Sequence, residues 1–195
     1  MPRTLRLPAV IASILGLIFP AAGAEPAFSV RRDIVFAEVD GHKLALDLYQ
    51  PKEAKRPPLI VWVHGGAWRA GSKDDMPLEK LVMEGFAIAS VDYRLSTVAQ
   101  FPAQAHDLKA AIRFLRQNAP ELGFNPKRIV IAGGSAGGHL AALVGVTNGH
   151  QELEGSVGVT GVSSGVQAIG SFYGGSDLPT ILQQSTPHGL KVRVP

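Results

Sequence analysis

The stretch that most constrains this chain runs from Arg128 to Thr147. Ile129 to Ala132 is a short apolar run, suited to a strand buried on both faces. From Ala136 the chain turns rich in alanine and leucine, as a helix requires. Between them lies Gly133-Gly134-Ser135-Ala136-Gly137, a G-x-S-x-G pattern. A strand that passes abruptly into a helix at such a pattern forms a nucleophile elbow, which lifts a serine hydroxyl above the sheet. The turn strains the serine backbone, and side chains two residues to either side would collide with neighbouring elements. Gly133 and Gly137 remove that collision. Two glycine-rich alternatives fail. A phosphate-binding loop needs Lys where His139 stands, and Ser135 occupies the second glycine position of a dinucleotide fingerprint.

A second segment complements the first. Leu59 to Val63 is a continuous apolar run, expected as a central parallel strand, and it leads into His64-Gly65-Gly66-Ala67-Trp68. Glycines at a strand end leave backbone amides unobstructed, which an oxyanion hole needs. The N–H donors expected here are those of Gly65 or Gly66, together with Ala136 just after the serine. An ordinary βα turn is the alternative reading of the same residues.

The remaining sequence supplies the frame. Val30 to Val39, the turn Asp40-Gly41 and the alternating Lys43 to Tyr49 read as an antiparallel hairpin at a sheet edge. Leu44, Leu46 and Leu48 share one face, and Pro51 to Pro58 is a polar connector. A helix is expected around Pro77 to Glu84, closed by Gly85, and a strand over Phe86 to Val91. Asp92 precedes the serine, the wrong order for a triad acid, and is expected to pair with Arg94. Pro102 to Ala119 reads as an amphipathic helix burying Ala105, Leu108, Ala111, Ile112 and Leu115, with His106 and Asp107 on its flank. Residues 149 to 165 read as a loop, Val166 to Tyr173 as a further strand, and the residues after Asp177 as a weak helix. Strands alternating with helices from Leu59 to Val146 imply an α/β class, with a mostly parallel sheet covered by helices on both faces.

Residues 1–24 read as a secretory signal peptide. Arg3 and Arg6 form a basic start, Leu7 to Phe19 an apolar run, and Ala22-Gly23-Ala24 a cleavage site. Secretion or periplasmic export is therefore expected, with a single domain over residues 25–195. The net charge of +3 includes Arg3 and Arg6, so the body carries about +1 and does not suggest nucleic-acid binding. The absence of cysteine excludes disulfides and thiolate metal sites. No run of 18 apolar residues argues for a spanning helix, so no stable membrane insertion is expected.

Taken together, His64 to Lys73, Asp92-Tyr93-Arg94 and Gly133 to Gly138 resemble the α/β-hydrolases of the esterase/lipase group. Ser163-Ser164, Val166-Gln167-Ala168 and Phe172-Tyr173-Gly174 to Asp177-Leu178 are similar to its acetylxylan/feruloyl esterase-like (BD-FAE) branch. The resemblance runs from about Val30 to the last residue. It implies a serine hydrolase acting on carboxylic esters, of carbohydrate acetyl or feruloyl type or of short acyl chains. Ser135 would be the nucleophile, Gly65, Gly66 and Ala136 the oxyanion hole, and His64, Trp68, Gly133 and Gly137 supporting motif residues. No metal or organic cofactor is implied, and the expected partner is a small-molecule or carbohydrate ester. The family's triad acid and histidine follow later strands, so the sheet is expected to be truncated before its last strands and the domain incomplete at its C-terminus. Within the chain, Asp177 and His188 stand in the right order after Ser135, although Asp177 matches a family aspartate that is not the triad acid. His139, four residues after Ser135 on one helix, is expected to point away from the hydroxyl. An amidase or peptidase on the same fold, or a non-catalytic binding protein lacking a complete triad, would also carry these motifs.

Overall fold

The computed structural model describes residues 27–181. The leader expected over residues 1–24 and His188 lie outside them. Six strands form one mixed sheet in the order β1-β2-β4-β3-β5-β6. These are β1 (Phe28–Val39), β2 (His42–Pro51), β3 (Leu59–Val63), β4 (Ala87–Val91), β5 (Ile129–Gly134) and β6 (Ala168–Phe172). The helices are α1 (Glu79–Met83), α2 (Ala103–Leu122), α3 (Ala136–Val146) and the single turn α4 (Gln151–Glu154).

β1 and β2 form the expected edge hairpin. Asp40 and Gly41 both take positive φ, 50° and 77°, as a two-residue type I′ turn requires. β2 runs antiparallel to β4, while β4, β3, β5 and β6 are mutually parallel. All five residues of β3 are buried, which explains why it reads as an unbroken apolar run. Its alternate side chains enter different layers. Leu59, Val61 and Val63 join α2 and α3 in the larger core, and Ile60 and Trp62 join Val82 of α1 in the smaller one. Helices therefore cover both faces. Among the described residues no helix is long and apolar enough to cross a membrane.

Several expectations are corrected. The first helix is confined to five residues, α1, although Gly85 does follow its end with φ of 92°. α2 continues past Ala119 to Leu122 with Pro120 inside its last turn, where the missing N–H leaves one carbonyl without its helical donor. The helix then stops at Gly123, left-handed at φ 82°. Residues 149–165 are not wholly a loop, since they contain α4. Arg94 does not pair with Asp92. It forks onto Asp107, at 2.7 Å from Nη2 and 2.9 Å from Nε, and Asp107 is fully buried rather than on a flank. Asp92 instead accepts the Lys73 N–H at 2.7 Å.

α2 also carries two cations inward. Lys109 and Arg113 are both buried and both meet Glu154, at 3.2 and 2.7 Å. Ser164 donates to the same carboxylate at 2.7 Å. One acid thus staples the segment after α3 to α2. Burial opposes ionisation of Glu154, but the bonds from Ser164, Arg113 and Lys109 outweigh it and hold its pKa below the usual carboxylate range. A folded-state pKa below the unfolded one stabilises the fold above the unfolded pKa, and that contribution disappears as pH falls. The urea midpoint is therefore expected to drop between about pH 5 and pH 3, and Glu154→Gln should flatten that drop. Parallel urea titrations of the two proteins check this.

Candidate active site

β5 ends at Gly134 and α3 begins at Ala136, so Ser135 alone makes the turn. Its backbone is at φ 55° and ψ −120°, a conformation that L-residues avoid. Two bonds hold it there. Ser135 N–H donates to Phe172 O of β6 at 2.9 Å, and Ser135 O accepts from His139 N–H at 3.0 Å. The side chain is exposed.

Gly137 allows the turn to close. A Cβ there would collide with the carbonyl oxygens of Val63 and His64. Gly137→Ala is expected to cost about 3 kcal/mol, since rigid backbone rather than a flexible side chain stands in the way. Chemical denaturation of that variant is the measurement, and a cost below about 1 kcal/mol would show that α3 can move away from the end of β3.

The segment after β3 passes directly beside the serine. A Cβ on Gly65 would lie 3.4 Å from Ser135 Cβ and 3.0 Å from Gly134 O. The next residue makes a tight turn, with Arg69 N–H and Ala70 N–H both donating to Gly66 O at 3.0 Å. Ala67 and Trp68 follow at positive φ, 52° and 60°. Ala136 opens α3, and a first helical N–H has no acceptor within its own helix.

His64 does not face the serine hydroxyl as a base would. It is buried and stacked on Tyr93, with ring centroids 4.4 Å apart. Its Nδ1 lies 2.8 Å from Gly65 O, so that nitrogen carries the proton. Burial pulls its pKa down, which keeps the ring neutral. The Tyr93 hydroxyl donates to His64 O at 3.2 Å. His64 is thus a strut under the Gly65 turn.

Ser135 opens onto a cavity of about 660 Å³. Ala136, Trp68, Phe101, His139, Leu143, Tyr173 and Leu178 contribute to its wall. His139 therefore lies on the same wall as the serine, contrary to expectation, because a spacing of four residues places two side chains on one helix face. It meets the Trp68 ring edge-on at 5.4 Å, its buried Nδ1 has no hydrogen-bond partner among the described residues, and burial lowers its pKa. Among the described residues no histidine hydrogen-bonds the Ser135 hydroxyl. Asp177 is exposed and accepts the Thr180 hydroxyl at 2.6 Å, while its neighbour Leu178 reaches the cavity. Phe101 was not marked by the sequence, and Tyr173 entered only within a family motif, with no place on a cavity wall assigned to it. They sit 34 residues before and 38 after Ser135, and no local pattern distinguishes a wall aromatic from a core one.

Comparison with known proteins agrees with this layout. The BD-FAE family model matches residues 46–193. Esterase LipC of Mycobacterium tuberculosis is 32% identical over 152 residues, covering 75% of this chain and 37% of LipC. Among solved structures, a bifunctional GH43-CE protein of Bacteroides eggerthii superposes with a TM-score of 0.73 at 35% identity, over 84% of this chain and 23% of that one. A truncated carbohydrate esterase from gut microbiota gives 0.67 at 35% identity, over 77% and 59%. The chain spans about a third of the length of the curated relatives it matches. The strand-to-helix elbow, the glycine turn beside it and the matched span agree: this chain belongs to the BD-FAE family and has the α/β-hydrolase fold.

Proposed function

We propose that this protein is a carboxylic ester hydrolase with Ser135 as its nucleophile. The observation that carries the reading is the strained Ser135 backbone at a strand-to-helix turn, with its side chain exposed on a cavity and the Gly65 backbone beside it. The names of the relatives, esterases and a carbohydrate esterase, favour esters over amides. Ser135 Oγ attacks the ester carbonyl while a base removes its proton. The carbonyl oxygen becomes an oxyanion, held by N–H groups of the Gly65–Gly66 segment and Ala136. Collapse expels the alcohol, and water then hydrolyses the acyl-enzyme. The base is required because serine hydroxyl is a weak nucleophile. We place the histidine base and its acid partner in sequence outside residues 27–181, in line with the greater length of the relatives. The substrates are acetyl, feruloyl or short acyl esters, including those on carbohydrates, and the largely apolar cavity wall suits the acyl group. The leader-like residues 1–24 add export to this proposal.

A fluorophosphonate probe tests it. The expected result is one covalent adduct on the peptide containing Ser135, with loss of hydrolysis of a p-nitrophenyl ester. Hydrolysis that survives without modification of Ser135 sinks the assignment.

A further inference from the structure

The segment that brings Gly65 beside Ser135 is tied down by a residue with no part in the chemistry above. Lys73 lies eight residues beyond Gly65 and is buried. Its backbone is held at both ends by β4 and the residue that follows it: the N–H donates to Asp92 Oδ1 at 2.7 Å, and the carbonyl accepts the Ser90 hydroxyl at 2.6 Å. Its ammonium reaches Asp47 of β2 and Asp33 of β1, both at 2.9 Å. Asp47 is fully buried and is the register partner of Ser90, so both project from the same spot on the sheet. Asp33 sits at a register shift in β1 with φ 56°, and its own N–H donates to Asp47 Oδ1 at 2.9 Å. Arg32 completes the group, 2.7 Å from Asp47 Oδ2. Three strands thus converge on one lysine of the segment between β3 and α1.

A chain of contacts links this anchor to the oxyanion side of the site. Two residues before Lys73, Gly71 presses on the His64 ring so closely that a Cβ would lie 2.5 Å from Nδ1 and 2.9 Å from Gly65 O. That same Nδ1 is bonded to Gly65 O. Moving Lys73 therefore moves Gly71, and with it the support of the Gly65–Gly66 peptide, which carries the Gly66 N–H.

We propose that Lys73, clamped by Asp47 and Asp33, is the positioning residue that holds the Gly65–Gly66 peptide, and so the Gly66 N–H, where the oxyanion forms. This rests on the ester-hydrolase reading. Donors of this kind act only when preset to the transition-state geometry, and a displacement of about 1 Å remote from the chemistry can cost on the order of 100-fold in rate. Uncharged Met in place of Lys73 keeps much of the stem but lets the segment drift from the two carboxylates.

The test is steady-state kinetics of the full protein on a p-nitrophenyl ester, normalised to the number of sites titrated by a fluorophosphonate. Lys73→Met should lower kcat by roughly 10- to 100-fold with KM within about twofold, because ground-state binding uses the cavity wall and not the oxyanion donors. Asp33→Asn, at an exposed position whose left-handed φ asparagine tolerates, should lower kcat by about threefold and keeps the test open if Lys73→Met does not fold. Glu154→Gln, which weakens a buried ion network away from the site, should lose stability but keep kcat per titrated site. An unchanged kcat in Lys73→Met, or in Asp33→Asn where Lys73→Met does not fold, overturns the proposal. So does an equal loss in Glu154→Gln, since that would mark a general effect of destabilisation. A wild-type protein whose Ser135 resists the probe and which hydrolyses no ester refutes the hydrolase reading itself, and the positioning role with it.

Discussion

Ser135→Ala is expected to reduce kcat on a short acyl ester by about 10⁴- to 10⁶-fold. The nucleophile is the one group for which neither the oxyanion donors nor a base can substitute, and what remains after its loss is the modest help of binding and oxyanion stabilisation. Stability should barely change. The hydroxyl makes no cap bond to α3 and points to solvent, so nothing buried is lost. Alanine also inherits the backbone strain at φ 55°. Ser135→Gly should be as inactive but more stable than wild type by about 1 kcal/mol or more, because glycine relieves that strain. Kinetics and urea denaturation of both variants check this. Residual turnover above about 1% in Ser135→Ala would move the nucleophile elsewhere.

The second large effect concerns stability. Arg94→Met is expected to cost about 3–5 kcal/mol, lowering the melting temperature by roughly 10 °C. Asp107 is fully buried and accepts the Arg94 backbone N–H at 2.9 Å as well as the guanidinium fork. Methionine fills part of the space but leaves a buried carboxylate with a single backbone donor. Arg94→Met combined with Asp107→Leu should recover much of the loss, since no charge then stays buried without its partner. The same variant should disturb the site. Gln104 donates to Arg94 O and Ala99 O, both at 2.8 Å, and Ser96, Phe101 and Gln104 border the cavity. A melting temperature within about 2 °C of wild type would show that water reaches Asp107 and solvates it.

The parts determined by the sequence alone were those written in local chemistry. The elbow could be read because its glycines, strand and helix are contiguous, and steric exclusion leaves few residue types able to stand at Gly133 and Gly137. The hairpin could be read because Asp40-Gly41 is one of the few pairs that accept two successive positive φ angles. Period-two and unbroken apolar runs placed β2 and β3, since burial on one face or on both leaves different patterns. Ion pairing was not written locally. Nothing in the sequence tells Arg94 to choose Asp107, thirteen positions away, over Asp92, two away; that choice follows from α2 packing against the sheet and burying the farther carboxylate. The same holds for Lys73, whose partners Asp33, Asp47 and Ser90 come from three strands, and for the cavity wall, where Trp68, Phe101, His139 and Tyr173 meet. His139 was expected to point away from Ser135, but a spacing of four residues puts both on one helix face, and the turn after β3 brings Trp68 against the histidine on the same cavity wall. Local residue chemistry therefore decided which elements form and where Ser135 stands. The tertiary structure decided which distant groups satisfy the buried charges and shape the space around it, because those energies exist only after the layers have packed.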